Sequence, residues 1–252
     1  MNEFEPLLRF GVFLARPGLL TLAAPVFGGT WAPPTVKIGL MVLMALGSMA
    51  VVPAVPAGEL AGLALVITRE ALIGLALGFG VRVVVGAAEF AGYLAGFQLG
   101  FAYASIVDPQ SGVRNSVLST LYGLMSLVVF FAIDAHHDVL RALAASYDAL
   151  PMGQGSIDAS LAGLVGRLLG VVFFVGVQMA APIIVVQLLV ELGLGLASRA
   201  APMLNLMAQG FPIRLIAGLL TLAAMIRVVP VVIERAVPAA LELAARAALA
   251  FR

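Results

Sequence analysis

The chain has 252 residues, of which 62% are hydrophobic and only 11% charged, with a net charge of +1. A soluble domain carries roughly a quarter charged residues, so this chain cannot cover a globule with polar groups and is expected to be an integral membrane protein. Its mean hydropathy of +1.12 agrees, the absence of cysteine excludes disulfides and cysteine metal sites, and no basic run offers a nucleic-acid surface.

The amino-terminal MNEFEPLLRF has two glutamates before its first arginine and lacks the pattern of a cleaved secretory signal. Membrane entry is therefore expected to use the first apolar span. A span needs about 20 mostly apolar residues. Phe10–Gly28 qualifies, and Arg16-Pro17 should either bend it or mark its start, because an internal proline removes a hydrogen bond. Gly28 to Pro34 reads as a reverse turn, with Trp31 suited to an interface. Ile38–Val55 is a second span. From Ala57 to Asp108 there is no proline, and one straight helix of that length would reach roughly 78 Å, far beyond a hydrocarbon core of about 30 Å. The stretch must therefore bend back or extend well outside a bilayer, and the charges from Arg82 to Glu89 mark the expected break, leaving elements at Leu60–Val84 and Ala87–Val107.

The second of these elements carries Ala88, Gly92, Gly96, Gly100 and Ala104, one small residue every four. On a helix they form a smooth stripe against which another backbone can pack closely in a bilayer. The stripe leads into a loop of turn-forming and polar residues, Ile106, Val107, Asp108, Pro109, Gln110, Ser111, Gly112, Val113, Arg114 and Asn115. Irregular backbone near membrane depth is tolerated only when buried in protein or lining a water-filled cavity.

Asn115–Ile133 is a fourth span. The polar stretch Asp134–Arg167 holds a short amphipathic helix at Asp138–Tyr147, ended by Pro151-Met152-Gly153-Gln154-Gly155. Leu168–Val190 is another span with Pro182 as an internal kink, Arg199–Arg214 a loop at the membrane margin, and Leu215–Ile233 the last span. The fold class is thus all-α, a polytopic membrane protein of about six hydrophobic helices, some kinked or folded back as hairpins. Residues 1–233 form the membrane domain and 234–252 an amphipathic tail, whose charge-free face is a candidate docking surface. Glu242 and Arg246 stand there in a favourable i,i+4 order. The loops' basic residues barely separate the two faces, with a slight bias that puts both termini in the cytoplasm.

No phosphate loop, metalloprotease helix or nucleophile elbow is present, so no catalytic residues and no cofactor are expected. Asp134-Ala135-His136-His137-Asp138 is the nearest approach to a metal site. Adjacent histidines on a helix point about 100° apart, so the stretch reads as a polar cap and no metal is assigned. Charges inside apolar segments are costly and face a partner or water. Arg69, Glu70, Arg82, Glu89, Glu191, Arg199 and Arg227 are such charges, with Arg199 the candidate partner of Glu191. Glu70, Gly74, Gly78, Arg82 and Gly86 share one four-residue row.

The order and spacing of several pieces resemble the FliR family of flagellar biosynthetic proteins and its T-type injectisome relatives. They are Glu70 to Phe79, Ala91-Gly92 through Gly96 to Phe101, Asp108-Pro109-Gln110-Ser111, His136-His137, Ser146 to Pro151, Ala181-Pro182, Ser198 to Asn205 and Gly210-Phe211-Pro212. The resemblance covers about Arg9 to Ile233. It implies a core subunit of the type III protein export gate in the bacterial inner membrane and flagellar basal body. Such a subunit forms a pore for unfolded proteins with FliP-like and FliQ-like subunits, alongside FlhB-like and FlhA-like components. It further implies that Ile106 to Asn115 plug the pore, that the small-residue stripe packs against neighbouring subunits, and that the buried charges face sister subunits rather than lipid. Two readings from other classes stand beside it: a proton-coupled transporter using Glu70, and an intramembrane enzyme requiring metal at His136 and His137.

Overall fold

The computed structural model describes residues 5–29, 32–52, 60–101, 117–154, 160–200 and 206–249. Every regular element among them is helical: α1 (Glu5–Ala23), α2 (Pro25–Gly28), α3 (Pro34–Val51), α4 (Leu60–Gln98), α5 (Val117–Ala132), α6 (Ala135–Ala149), α7 (Ser160–Ala200), α8 (Leu206–Met225) and α9 (Val228–Leu249). By length and composition α4 and α7 can each cross a membrane, and α5 with α6, and α8 with α9, qualify as broken pairs. The all-α membrane architecture expected from composition is therefore present.

Several boundaries differ from expectation. α1 runs through Pro17 without starting there. The proline forfeits one hydrogen bond, while Thr21 Oγ1 donates back to the Pro17 carbonyl at 2.7 Å. α4 is one unbroken helix of 39 residues, with no interruption between Arg82 and Glu89. Nothing in that stretch forces a break: it contains no proline, Arg82 points outward and Glu89 is only half-buried, and a lone Gly86 costs about 1 kcal/mol at most. α7 likewise continues through Pro182 and on to Ala200. Most of the expected loop at 199–214 is therefore helix, with Arg199 in a last turn where a cation complements the helix dipole. Trp31 and the residues from Ala102 to Ser116 lie outside the described residues.

The chain folds as two compact units, one of residues Met1–Val84, Phe130–Gly170 and Val237–Arg252, the other of Val85–Val129 and Val171–Ala236. The boundary inside α4 falls where the charged stretch lies, although the helix itself does not stop there.

In the first unit, α4 offers α1 a small-residue groove. A Cβ at Gly74 would strike the Arg16 carbonyl, and one at Gly78 would come within 2.6 Å of the Leu20 carbonyl and 2.7 Å of Ala23 Cβ. Gly80, on another face of α4, receives α9: a Cβ there would meet Ala244 and would lie 3.1 Å from the Ala240 carbonyl. The charge-free face of the tail is thus occupied within the chain, with Ala240, Ala244, Ala247 and Ala248 buried. Its polar face carries the Arg246–Glu242 pair at 2.6 Å, too exposed to add much stability.

In the second unit, Ala95, Leu99, Leu118 and Ile183 form a core with Leu222 against it. Gly176 lets α7 approach α4, a Cβ there meeting Phe90 Cδ1 at 2.6 Å and the Ala87 carbonyl at 3.0 Å. Much of α7 remains uncovered, with Phe173, Phe174, Leu189 and Leu196 among its exposed apolar side chains.

Candidate functional site

Arg16 and Glu70 are both fully buried in the first unit, and Arg16 Nε donates to Glu70 Oε2 at 2.7 Å. Each remaining polar edge of the pair is also engaged. Arg16 Nη1 donates to Ser146 Oγ at 2.9 Å and Nη2 to the Leu150 carbonyl at 3.1 Å. Glu70 Oε1 accepts the Gly153 amide at 3.2 Å. The Tyr147 ring lies 4.1 Å from the guanidinium carbon, a cation–π contact.

The local sequence explains why these groups meet. α6 ends at Ala149, and its capping Leu150 turns its amide back to the Ser146 carbonyl, which leaves the Leu150 carbonyl free to accept from Arg16. The following turn closes with the Gln154 amide on the Pro151 carbonyl at 3.1 Å. Its third residue, Gly153, has φ +80, a conformation glycine adopts without penalty. This turn presents the amide that Glu70 accepts. Arg16 thereby binds α1, α4 and the end of α6 into one polar node. The sequence placed Glu70 among charges facing a partner, and the partner found is Arg16 of the same chain. Arg16 itself read only as part of a proline kink; its signal was a second isolated charge, of opposite sign, in an apolar span.

The second unit frames the segment expected to act as a plug. α4 closes in a Schellman motif: Gly100 has φ +81, its amide donates to the Phe97 carbonyl at 3.1 Å, and the Phe101 amide donates to Gly96 at 2.9 Å. A Cβ on Gly100 would sit 3.3 Å from the Phe211 ring. On the other side of the segment, α5 starts at Val117 and is seated directly on Gly92. A Cβ there would strike the Leu118 carbonyl and come within 2.7 Å of Ser119 Cα. Ser119 Oγ donates to the Glu89 carbonyl at 2.9 Å, and Gly123 leaves room for the Glu89 side chain, whose Cγ is 3.1 Å from a Cβ built there. The small-residue stripe thus has neighbours within its own chain at Gly92 and Gly100. Ala88 and Gly96 are buried. Ala104 and the whole of Ile106 to Asn115 lie outside the described residues.

Deeper in this unit Gln187 is buried, and its Nε2 donates to the Arg214 carbonyl at 2.8 Å. Gly218 makes that reach possible, since a Cβ there would overlap Leu99 and stand 2.6 Å from the Gln187 amide. The same approach of α8 to α7 gives Glu191 its partner, Arg214 at 3.5 Å, rather than the Arg199 expected from sequence. Gln187 is one helical turn before Glu191, so the side chain of Arg214 falls beside the carboxylate. Arg199 and Arg227 are exposed, as is Arg82. Arg69 Nε is buried without a hydrogen-bond partner among the described residues.

The Asp134-to-His137 stretch also departs from the helical-spacing argument. The two imidazole rings do not diverge but lie 4.1 Å apart. They occupy the first turn of α6, where side chains lean back toward the N-terminus.

The family model described as "Bacterial export proteins, family 1" matches residues 7–240. The chain is 33% identical over 213 residues to the flagellar biosynthetic protein FliR of Pectobacterium carotovorum subsp. carotovorum, covering 84% of this chain and 81% of the relative. It is 28% identical to FliR of Escherichia coli (strain K12) over 226 residues, 88% of this chain and 83% of the relative. To the Yop proteins translocation protein T of Yersinia pestis it is 29% identical over 154 residues, 60% of this chain and 59% of the relative.

Proposed function

The chain belongs to the bacterial export proteins of family 1, and from that premise we propose that it is a FliR-type core subunit of the flagellar type III export gate. It works in the inner membrane with FliP-like and FliQ-like subunits and with FlhB-like and FlhA-like components nearby. The observation that carries this reading is the match, over most of both chains, to flagellar FliR proteins. The injectisome counterpart is the second reading, favoured by the Yersinia relative and placed behind the first by its shorter overlap.

The chain acts as conduit wall and stopper rather than as a catalyst. A pore for unfolded polypeptides must not bind any one sequence, which suits small and apolar side chains. It must also hold ions back at rest. Residues 106–115 are the proposed stopper, tethered on one side by the Gly100 cap and on the other by α5 seated on Gly92. Displacing such a stopper for transit requires a bias of only a few kcal/mol. The exposed apolar side chains of α7 supply surface for the sister subunits.

Co-expression with the FliP-like and FliQ-like proteins of the same genome should yield one detergent-stable complex. Recovery of the chain alone, stable and monodisperse, with those partners left behind, would overturn the assignment. Within such a complex, deleting Gln110–Arg114 is expected to make the resting membrane leak ions while export continues. Ion conductance equal to that of the intact gate would refute the stopper role.

A further inference from the structure

We propose that Asp134, His136 and His137 form a binding site for one divalent first-row transition-metal ion, of which Zn²⁺ is the representative. The chain contains two histidines and no cysteine, so its whole supply of nitrogen and sulfur side-chain donors suited to such ions is gathered at this point. One donor atom from each of the three residues lies within 4.8 Å of the others. Asp134 Oδ1 is 3.6 Å from His137 Nδ1 and 4.0 Å from His136 Nε2. Bonds of about 2.0–2.1 Å in a tetrahedral zinc site put donor atoms about 3.3 Å apart. None of the three separations exceeds 4.8 Å, so each closes by about 1.5 Å at most, which side-chain torsion supplies. His137 is 55% exposed and Asp134 74%, so neither must repack to move.

The backbone explains why the carboxylate is available. Asp134 caps α6 in the left-handed region, φ 58, and makes no side-chain capping bond. Aspartate at a helix N-cap ordinarily accepts a backbone amide; this one instead points at the imidazoles. Among the described non-glycine residues it alone has positive φ, a conformation that costs energy even where aspartate tolerates it. His136 is held from the other side by Phe131, with ring centroids 5.3 Å apart. The neighbouring Asp138 is engaged elsewhere, accepting from Arg141 Nη1 at 2.8 Å, so the fourth position is left to water. Two imidazole nitrogens and one carboxylate oxygen suit zinc, nickel, copper or cobalt rather than magnesium or calcium, which prefer all-oxygen sets.

The test uses the untagged, full-length chain within its detergent-solubilised complex with the FliP-like and FliQ-like proteins, stripped with chelator and titrated with Zn²⁺ and, separately, Co²⁺, and stoichiometry is counted per copy of this chain. The expected result is one Zn²⁺ per chain, not displaced by excess Mg²⁺, and a visible cobalt band of the intensity that low coordination gives. His137→Ala should abolish both, Asp134→Asn should weaken Zn²⁺ binding at least tenfold, and Asp138→Asn should leave it unchanged. Because His137 and Asp134 are exposed, these variants are expected to fold, and unaltered far-ultraviolet circular dichroism checks this. Absence of stoichiometric Zn²⁺ binding by the parent chain would overturn the site. So would binding that His137→Ala and Asp134→Asn leave intact.

Discussion

Replacing Glu70 with alanine is expected to remove about 3–5 kcal/mol of stability, the usual cost of leaving a buried charge without its partner. The carboxylate neutralises Arg16 at 2.7 Å and takes the Gly153 amide, and the guanidinium is fully buried, so solvent does not take its place. The loss should appear as a lowered detergent unfolding temperature and reduced accumulation in the membrane. Arg16→Lys should fail nearly as badly, because an ammonium cannot reproduce the fork that reaches Glu70, Ser146 and Leu150 together. Arg16→Met combined with Glu70→Leu is the decisive control. With both charges gone and volume roughly kept, an apolar pair can approach or exceed the original stability. If the double variant is as unstable as Glu70→Ala, the node contributes something other than charge compensation. If it is stable but export is lost, the pair has a role in transport beyond holding the helices together. Stability and export both restored would mark the node as an architectural tie among α1, α4 and α6.

Some of this arrangement was visible in the sequence and some could not be. The row Glu70, Gly74, Gly78 was visible in the sequence as one face of a helix, and the structure lays α1 along it. What the row could not show was the identity of the neighbour, because Gly74 and Gly78 meet carbonyl oxygens of Arg16 and Leu20, groups every residue possesses. The same holds for Gly92 and the Leu118 carbonyl. A glycine stripe announces a contact and is silent about whether the other backbone belongs to the same chain. The expected break rested on the length of the proline-free stretch and was placed at Arg82–Glu89 by the charges at its centre. Helix continuity is set by backbone hydrogen bonds, which those side chains do not interrupt; the change between compact units at Val84 and Val85 occurs without one. The histidine pair was dismissed on the 100° spacing of an ideal helix, a rule that loses force in a first turn preceded by a left-handed residue. Arg16 was obscured by Pro17 beside it, although α1 continues through that proline.

Gly92→Ala is expected to cost about 1–3 kcal/mol, the penalty of forcing volume into a packed contact, although one methyl group is all it adds. The atoms in its way are the carbonyl of Leu118 and Cα of Ser119. Both are backbone, so no rotamer change can make room; α5 must back away from α4. That retreat would also lengthen the bond from Ser119 Oγ to the Glu89 carbonyl, now 2.9 Å. Gly86→Ala, six residues earlier on the same helix, is the matched control: among the described residues nothing lies within 4 Å of its Cβ, and alanine there should be neutral or stabilise by up to about 1 kcal/mol. Comparing the two variants separates the close approach from any general sensitivity of α4 to lost glycines. The comparison also bears on the stopper. α5 is seated at Leu118 and Ser119, a few residues after the segment ends at Asn115, so moving that seat moves one tether of residues 106–115 without touching them. Gly92→Ala gates that assemble should therefore leak ions as the Gln110–Arg114 deletion does, while Gly86→Ala gates stay tight. A Gly92→Ala gate that assembles, exports and remains ion-tight would show that the seat at Leu118 does not set the position of the stopper.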